Sequence, residues 1–182
     1  MTKKIAQLGL FLALALILSY VESLIPFSFG IPGIKLGLPN LIVVMLLYQR
    51  TDDRSGTVSD ERYWFGAKEA IFVNILRIVL SGFLFSNLYT IIYSLAGAAL
   101  SIAAMMLGRR FKCFSVVGIS VLGGVFHNIG QILMAMFVVE TVYVGYYVPV
   151  LIVAGTVTGA VLGIAAMELM PYFVRFIGYN QN

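Results

Sequence analysis

Long runs of apolar residues dominate this sequence of 182 residues. A run of about 20 apolar residues is long enough, as a helix, to cross the ~30 Å hydrocarbon core of a bilayer. Only 11% of the residues are charged, whereas a soluble domain carries about 25%. The chain is therefore predicted to be an all-α, polytopic membrane protein, and a large water-soluble enzyme is excluded.

Six apolar segments predict six transmembrane helices within a single domain, residues 1–182. The predicted spans are residues 5–25, 36–48, 66–84, 87–107, 115–139 and 148–169. The second span is short, because a helix of its length reaches only ~20 Å. The segment before it, residues 26–40, contains three prolines and three glycines. We expect this segment to be an apolar loop that caps or lines a cavity.

The distribution of basic residues predicts the orientation. With a cytoplasmic N-terminus, all twelve Lys and Arg residues except Lys35 and Arg77 fall on the cytoplasmic side. The positive-inside rule then places both termini in the cytoplasm, together with a hydrophilic loop at about residues 49–65. The same rule accounts for the formal net charge of +4, so no nucleic-acid partner is predicted.

Polar side chains inside the predicted spans are candidates for a substrate site, because such groups are costly in a bilayer. Asn74 and Arg77 share one face of the third span, and His127 and Gln131 share one face of the fifth. The predicted substrate-binding residues are Glu22, Lys35, Asn40, Asn74, Arg77, His127, Asn128 and Gln131. Their depth predicts one pocket that opens to the exterior and takes an anionic or strongly hydrogen-bonding ligand.

Structural interpretations of the same residues stay open. Arg77 and Glu22 could form an ion pair, the amide side chains could hold helices together, and Lys35 could extend to the membrane interface. Three glycines at four-residue spacing in the sixth span favour close packing inside the protein, although an external partner helix is also possible.

No cofactor or metal site is predicted. Cys113 is the only cysteine, and no Cys/His cluster has the spacing of a zinc site. No Gly-rich phosphate loop occurs, so the chain is not expected to hydrolyse ATP. Asp52 and Asp53 lack the second acidic pair that a prenyl diphosphate site requires. The chain is therefore predicted not to be an enzyme.

Four stretches resemble a known family: residues 16–26, residues 32–40, the pair 77–78 and the motif His-Asn-Ile-Gly-Gln at 127–131. They resemble the Gx transporter family, whose members are commonly labelled heptaprenyl diphosphate synthase component I. That family belongs with the substrate-binding S components of energy-coupling factor (ECF) importers. The resemblance implies the six-helix S-component fold, a prokaryotic cytoplasmic membrane, and capture of a small anionic or isoprenoid-related nutrient.

The resemblance also implies partners. An S component binds substrate, while a separate membrane coupling protein with two ATPases drives import. A small-x-x-x-small motif on the first helix docks onto the coupling protein, and Gly9 and Ala13 match it, with Ala15 and Ser19 as a second match. Two alternatives stay open: a noncatalytic membrane subunit of a prenyl (heptaprenyl) diphosphate synthase, and a stand-alone permease.

Overall fold

The structure, a computed structural model, describes residues 2–25, 35, 37–48, 66–111 and 114–176. Within these ranges, every regular element is a helix. The elements are α1 (Thr2–Leu24), α2 (Asn40–Tyr48), α3 (Ala67–Phe85), α4 (Leu88–Arg110), α5 (Val116–Val139), a 3₁₀ helix (Val142–Tyr147) and α6 (Val148–Phe176). Most of the predicted loop at residues 26–40, namely 26–34 and 36, and the predicted loop at about residues 49–65 lie outside the described residues. The prediction of an all-α chain is confirmed for the described residues, which form six α-helices, and the prediction of six transmembrane spans stays a prediction.

Four of these helical segments are long and apolar enough to cross a membrane: Lys4–Leu24, Leu88–Arg110, Val116–Val139 and Val142–Phe173. α3 has 19 residues, but three of them, Lys68, Glu69 and Arg77, are charged. α2 has nine residues, which corresponds to only ~14 Å of helix. The chain is therefore a multi-pass membrane protein, and its second helix is short, as predicted.

Capping interactions explain where α4 and α5 begin and where α5 ends. Asn87 Oδ1 accepts a hydrogen bond from Thr90 N (2.9 Å), and Ser115 Oγ accepts one from Gly118 N (3.2 Å). Both are preferred N-cap residues, because their side chains satisfy a free N–H of the first turn. α5 stops at Glu140, which adopts the left-handed conformation with φ 54°.

α1 and α3 run parallel to each other. Lys4 Nζ donates to Glu69 Oε1 (2.6 Å) in the first turns of the two helices. The rings of Tyr20 and Phe85 meet near the last turns, with centroids 5.2 Å apart. α2, which lies between α1 and α3 in the chain, therefore runs back in the opposite direction.

α4, α5 and α6 are antiparallel neighbours. Gly130 of α5 packs against the backbone of Ala96, and Asn128 Nδ2 donates to Leu151 O of α6 (2.8 Å). The ring of Phe11 stacks on Phe173 at 5.3 Å, so α1 begins at the end of the bundle where α6 finishes. We call this the terminal end, and the opposite end the distal end.

α2 is buried on every side. Each residue from 41 to 47 is less than 10% exposed, and all seven of these residues are apolar, as expected for a helix that is buried all round. Its core neighbours include Ala70, Met105, Ile119 and Ala166, all from the terminal halves of their helices. Because α2 is so short, it fills only the terminal half of the interior. Most of the buried polar residues lie between the middle of the bundle and its distal end, although Asn74, Ser101 and Ser120 lie in the terminal half.

Candidate substrate-binding site

Polar side chains from α1, α3, α5 and the start of α2 come together in the distal half of the bundle. Seven of the eight predicted binding residues are buried, at 6% exposure or less: Glu22, Asn40, Asn74, Arg77, His127, Asn128 and Gln131. The eighth, Lys35, is half-buried. A buried polar group costs free energy unless it is hydrogen-bonded. The partners of each group therefore indicate which residues serve the fold.

Glu22 binds the backbone that leads into α2. Its Oε1 accepts hydrogen bonds from Gly37 N and from Leu38 N, the latter at 3.2 Å. Gly37 has φ +87°, a conformation that favours glycine. These contacts place a carboxylate beside the N-terminus of α2, where the helix dipole attracts negative charge. Glu22 therefore holds the chain in position at the start of α2, a role that the sequence analysis did not predict.

Glu22 is also attracted to two cations without touching either. It interacts electrostatically with Arg77 and with Lys35, but the described residues contain no salt bridge within 4.0 Å that involves any of the three. Lys35 Nζ instead donates to Ser86 Oγ at 2.8 Å, in the connection between α3 and α4. The contact ion pair considered for Arg77 and Glu22 is therefore not present.

Replacing Glu22 by alanine should destabilise the protein. Two backbone N–H groups would lose their acceptor, at a cost of about 1–3 kcal/mol for each buried group. The measurement is the thermal midpoint of the purified protein in detergent. Glu168→Ala is the matched control, since Glu168 is an exposed helical glutamate. An equal, small effect in both variants would contradict the role assigned to Glu22.

Arg77 is buried with one side-chain partner among the described residues. Its Nη2 donates to Asn74 Oδ1, one helical turn away on α3. A guanidinium group carries several N–H donors in a fixed fork, so most of this group remains available. Asn74 therefore orients Arg77, and the pair presents donors and positive charge to the interior.

His127, Gln131 and Asn40 form a neutral group around two glycines. A Cβ on Gly37 would lie 3.0 Å from Asn40 Nδ2 and 3.3 Å from His127 Cδ2. A Cβ on Gly97 of α4 would lie 2.9 Å from both His127 Nδ1 and Gln131 Cγ. Among the described residues, no hydrogen-bond partner exists for Asn40 Nδ2 or for either amide atom of Gln131, whereas His127 interacts with the backbone of Gly97.

Asn128 faces away from this group. Its Nδ2 donates to Leu151 O at 2.8 Å, across the contact between α5 and α6. Adjacent residues on a helix point about 100° apart, so His127 and Asn128 cannot share a face. The contact supports the interpretation of Asn128 as a residue that holds α5 and α6 together, and its substrate-binding role remains a prediction.

The sequence analysis missed one face of α4. Thr90, Ser94, Gly97 and Ser101 recur every three or four residues and are all buried. Gly97 permits the close approach of His127 and Gln131, and the hydroxyl groups add polar atoms to the interior. The spacing of small and polar residues was the signal that could have identified this face.

The predicted docking residues divide into an exposed and a buried pair. Gly9 and Ala13 are exposed on α1, and a Cβ on Gly9 would have nothing within 4 Å. Ala15 and Ser19 are at most 2% exposed, and Ser19 Oγ donates to Ala15 O at 2.9 Å. A partner helix can reach the first pair directly, whereas the second pair faces the interior in this conformation.

Comparison with known proteins identifies the family. A family model described as heptaprenyl diphosphate synthase component I matches residues 11–59 and 60–169. The chain belongs to this family. Comparisons with curated proteins and with solved structures give no match. The match to the heptaprenyl diphosphate synthase component I family covers all of the elements that form the polar cluster, so the suspected family is confirmed.

The family description names a component of a synthase, and it implies association with other components. Among the described residues, no group of three or more His, Cys, Asp or Glu side chains is placed to hold a metal ion. The described part of the chain offers a buried guanidinium group, buried amides and an imidazole, with the half-buried Lys35 nearby. Such an array can bind and orient a polar solute.

Proposed function

We propose that this protein is the substrate-binding membrane subunit of an ECF-type importer, which captures a small anionic solute from the exterior. The observation that carries the proposal is the buried polar cluster around Arg77 and His127 in the distal half of an otherwise apolar bundle. Polar groups inside a membrane protein are rare and mark substrate pathways. A purely structural bundle has no need for buried amide groups that lack partners among the described residues.

The distribution of basic residues supports an exterior position for this site. Lysine and arginine side chains lie at the terminal end of the described helices: Lys4, Lys68, Arg109 and Arg110. By the positive-inside rule, this end faces the cytoplasm. The distal half, with the polar cluster, then faces the exterior, and α3 completes a crossing in spite of its charges.

The exposed face of α1 supports docking to a coupling protein. Gly9 and Ala13 are four residues apart, which lets another helix backbone approach closely. α1 packs mainly against α3, so its outer face is available to a partner. The two ATPases of such an importer would bind the coupling protein rather than this chain.

A pull-down in mild detergent from the native membrane tests the proposal. We expect the tagged protein to recover a membrane coupling protein together with ATPases, identified by mass spectrometry. Recovery of a soluble prenyl diphosphate synthase without ATPases would overturn the proposal. It would favour the noncatalytic subunit that the family description suggests.

Bulky residues at the docking positions should prevent docking to the coupling protein without destabilising the fold. In a Gly9→Leu, Ala13→Leu variant, we expect the ATPases to be lost from the pull-down, because the partner helix can no longer approach. The thermal midpoint should stay close to that of the wild type, since both positions are exposed. Ala99→Leu, Ala103→Leu is the matched control, with the same spacing on an exposed face of α4. Full recovery of ATPases by the first variant would remove Gly9 and Ala13 from the docking role.

A further inference from the structure

We infer that the substrate is a compact, singly charged anion that also carries a neutral hydrogen-bonding group, and that it is not a prenyl diphosphate. The anionic group would meet Arg77, and the neutral group would meet His127, Gln131 and Asn40. This inference rests on the proposed function and specifies the ligand of the same site.

The charges around the cluster support a single negative charge on the ligand. Arg77 and Lys35 contribute two positive charges and Glu22 one negative charge, which leaves one positive charge. His127 is counted as neutral, because a second buried cation would need an anionic partner, and His127 forms no salt bridge among the described residues. The segment between Ile25 and Lys35 contains no ionisable residue, so it leaves this balance unchanged.

The contacts of Glu22 leave Arg77 available to a ligand. Both hydrogen bonds that Glu22 accepts come from the backbone before α2, and Lys35 is bound to Ser86. Arg77 is 5% exposed. Among the described residues, its guanidinium group donates a hydrogen bond only to Asn74. A carboxylate, or a phosphodiester with its single negative charge, matches the fork of this group.

The residues His127, Gln131 and Asn40 set a second requirement for the chemistry of the ligand. Gln131 offers both a donor and an acceptor, and Asn40 offers a donor, all without partners among the described residues. His127 adds an imidazole ring to this group. Leaving such groups unpaired in the interior is costly. An amide, hydroxyl or ring nitrogen on the ligand would satisfy them, whereas a hydrocarbon chain would not.

The charge and the apolar surfaces both argue against a prenyl diphosphate. A single phosphate group carries about −1.5 to −2 charge at neutral pH, and a diphosphate carries more than the cluster can balance. Two aromatic side chains at the distal end of α3 lie on the outside of the bundle, since Phe83 is 76% exposed and Phe85 is 37% exposed. Met134 lines a groove between α4 and α5 with only apolar neighbours. These side chains face the lipid rather than the polar cluster.

Ligand retention tests the inference. Detergent-purified protein on beads is incubated with the low-molecular-mass fraction of an extract from its own cells, washed and denatured. The released compounds are identified by mass spectrometry. Arg77→Gln and Gln131→Leu are compared with wild type and with Arg110→Gln, which changes an exposed arginine at the terminal end. Size-exclusion profiles establish that each variant is folded.

We expect wild type and Arg110→Gln to retain one compound with a single negative charge and an amide, hydroxyl or ring nitrogen. Retention should fall about tenfold or more in Gln131→Leu and ~100-fold or more in Arg77→Gln, because hydrogen bonds to a charged group are stronger than those to a neutral amide. Geranyl diphosphate, used as a defined probe, should leave the thermal midpoint of the wild type unchanged. Stabilisation by geranyl diphosphate that requires Arg77 would overturn the inference.

The outcomes distinguish this inference from the proposed function. Retention of a diphosphate or an uncharged compound would overturn the inference and leave the importer subunit standing. Retention of no compound, together with a pull-down that recovers no ATPase, would overturn both.

Discussion

Substituting Arg77 by glutamine is expected to abolish substrate capture while the bundle stays folded. Glutamine removes the positive charge but keeps an amide donor near Asn74. Hydrogen bonds to a charged group contribute about 1.5–3 kcal/mol each, so losing a bidentate pair lowers affinity by ~100-fold or more. The measurement is substrate retention or uptake, with Arg110→Gln as the control.

The thermal midpoint of the same variant separates a binding site from a scaffold. Arg77 has no contact ion pair among the described residues, and an unpaired buried cation is costly. Arg77→Gln should therefore keep or raise the thermal midpoint. If Arg77 instead served as half of a buried ion pair, its loss would cost about 3–5 kcal/mol. A large drop in midpoint would contradict the binding role.

Arg77→Lys adds a graded test. Lysine restores the charge but not the planar fork of the guanidinium group. Partial recovery of binding would show that charge attracts the ligand and that the fork adds geometry. Complete recovery would indicate a ligand held by charge alone.

The main helices were predictable because their signals are local. Proline and glycine end the apolar runs, and polar N-caps begin them. The predicted fourth span, 87–107, corresponds to Leu88–Arg110, and the predicted fifth, 115–139, corresponds to Val116–Val139. The short second helix was also predictable, because the length of an apolar run limits the length of the helix it can form.

The partners within the site were not predictable, because they depend on non-local backbone geometry. Glu22 binds Gly37 N and Leu38 N across 15 and 16 residues. Those N–H groups point at Glu22 only because Gly37 adopts a positive φ. In contrast, Asn74 and Arg77 are one turn apart on one helix, so their contact followed from helical spacing. Sequence analysis therefore identified the polar residues but not which of them Glu22 would contact.

The glycines of α6 show what spacing can and cannot reveal. Their four-residue interval favoured internal packing but left an external partner possible. The structure buries Gly155 and Gly159 against α5, where a Cβ on Gly155 would lie 2.8 Å from Gly124 O. The internal interpretation is confirmed. The glycine on α5 that completes the contact, Gly124, had no comparable periodic signal.

The substitution Gly159→Val is expected to unfold or strongly destabilise the protein. A Cβ on Gly159 would lie 2.7 Å from Ser120 O and from Val121 Cα. These are backbone atoms, so the clash can be relieved only if α5 and α6 move apart. Overpacking costs about 1–3 kcal/mol or more, and we expect a thermal midpoint lower by on the order of 10 °C.

Gly9→Val is the matched control, because it makes the same change inside a helix where a Cβ has nothing within 4 Å. Its midpoint should stay near that of the wild type, since valine has a better helix propensity than glycine. Equal midpoints for the two variants would contradict the close α5–α6 contact.

The variants Gly159→Val and Arg77→Gln are expected to differ in whether stability is lost together with ligand binding. Separating α5 from α6 would break the bond from Asn128 to Leu151 O and displace His127 on the same helix. Gly159→Val should therefore lose ligand and stability together, whereas Arg77→Gln should lose the ligand alone. The polar cluster depends on the packing of the bundle, but the packing does not depend on Arg77.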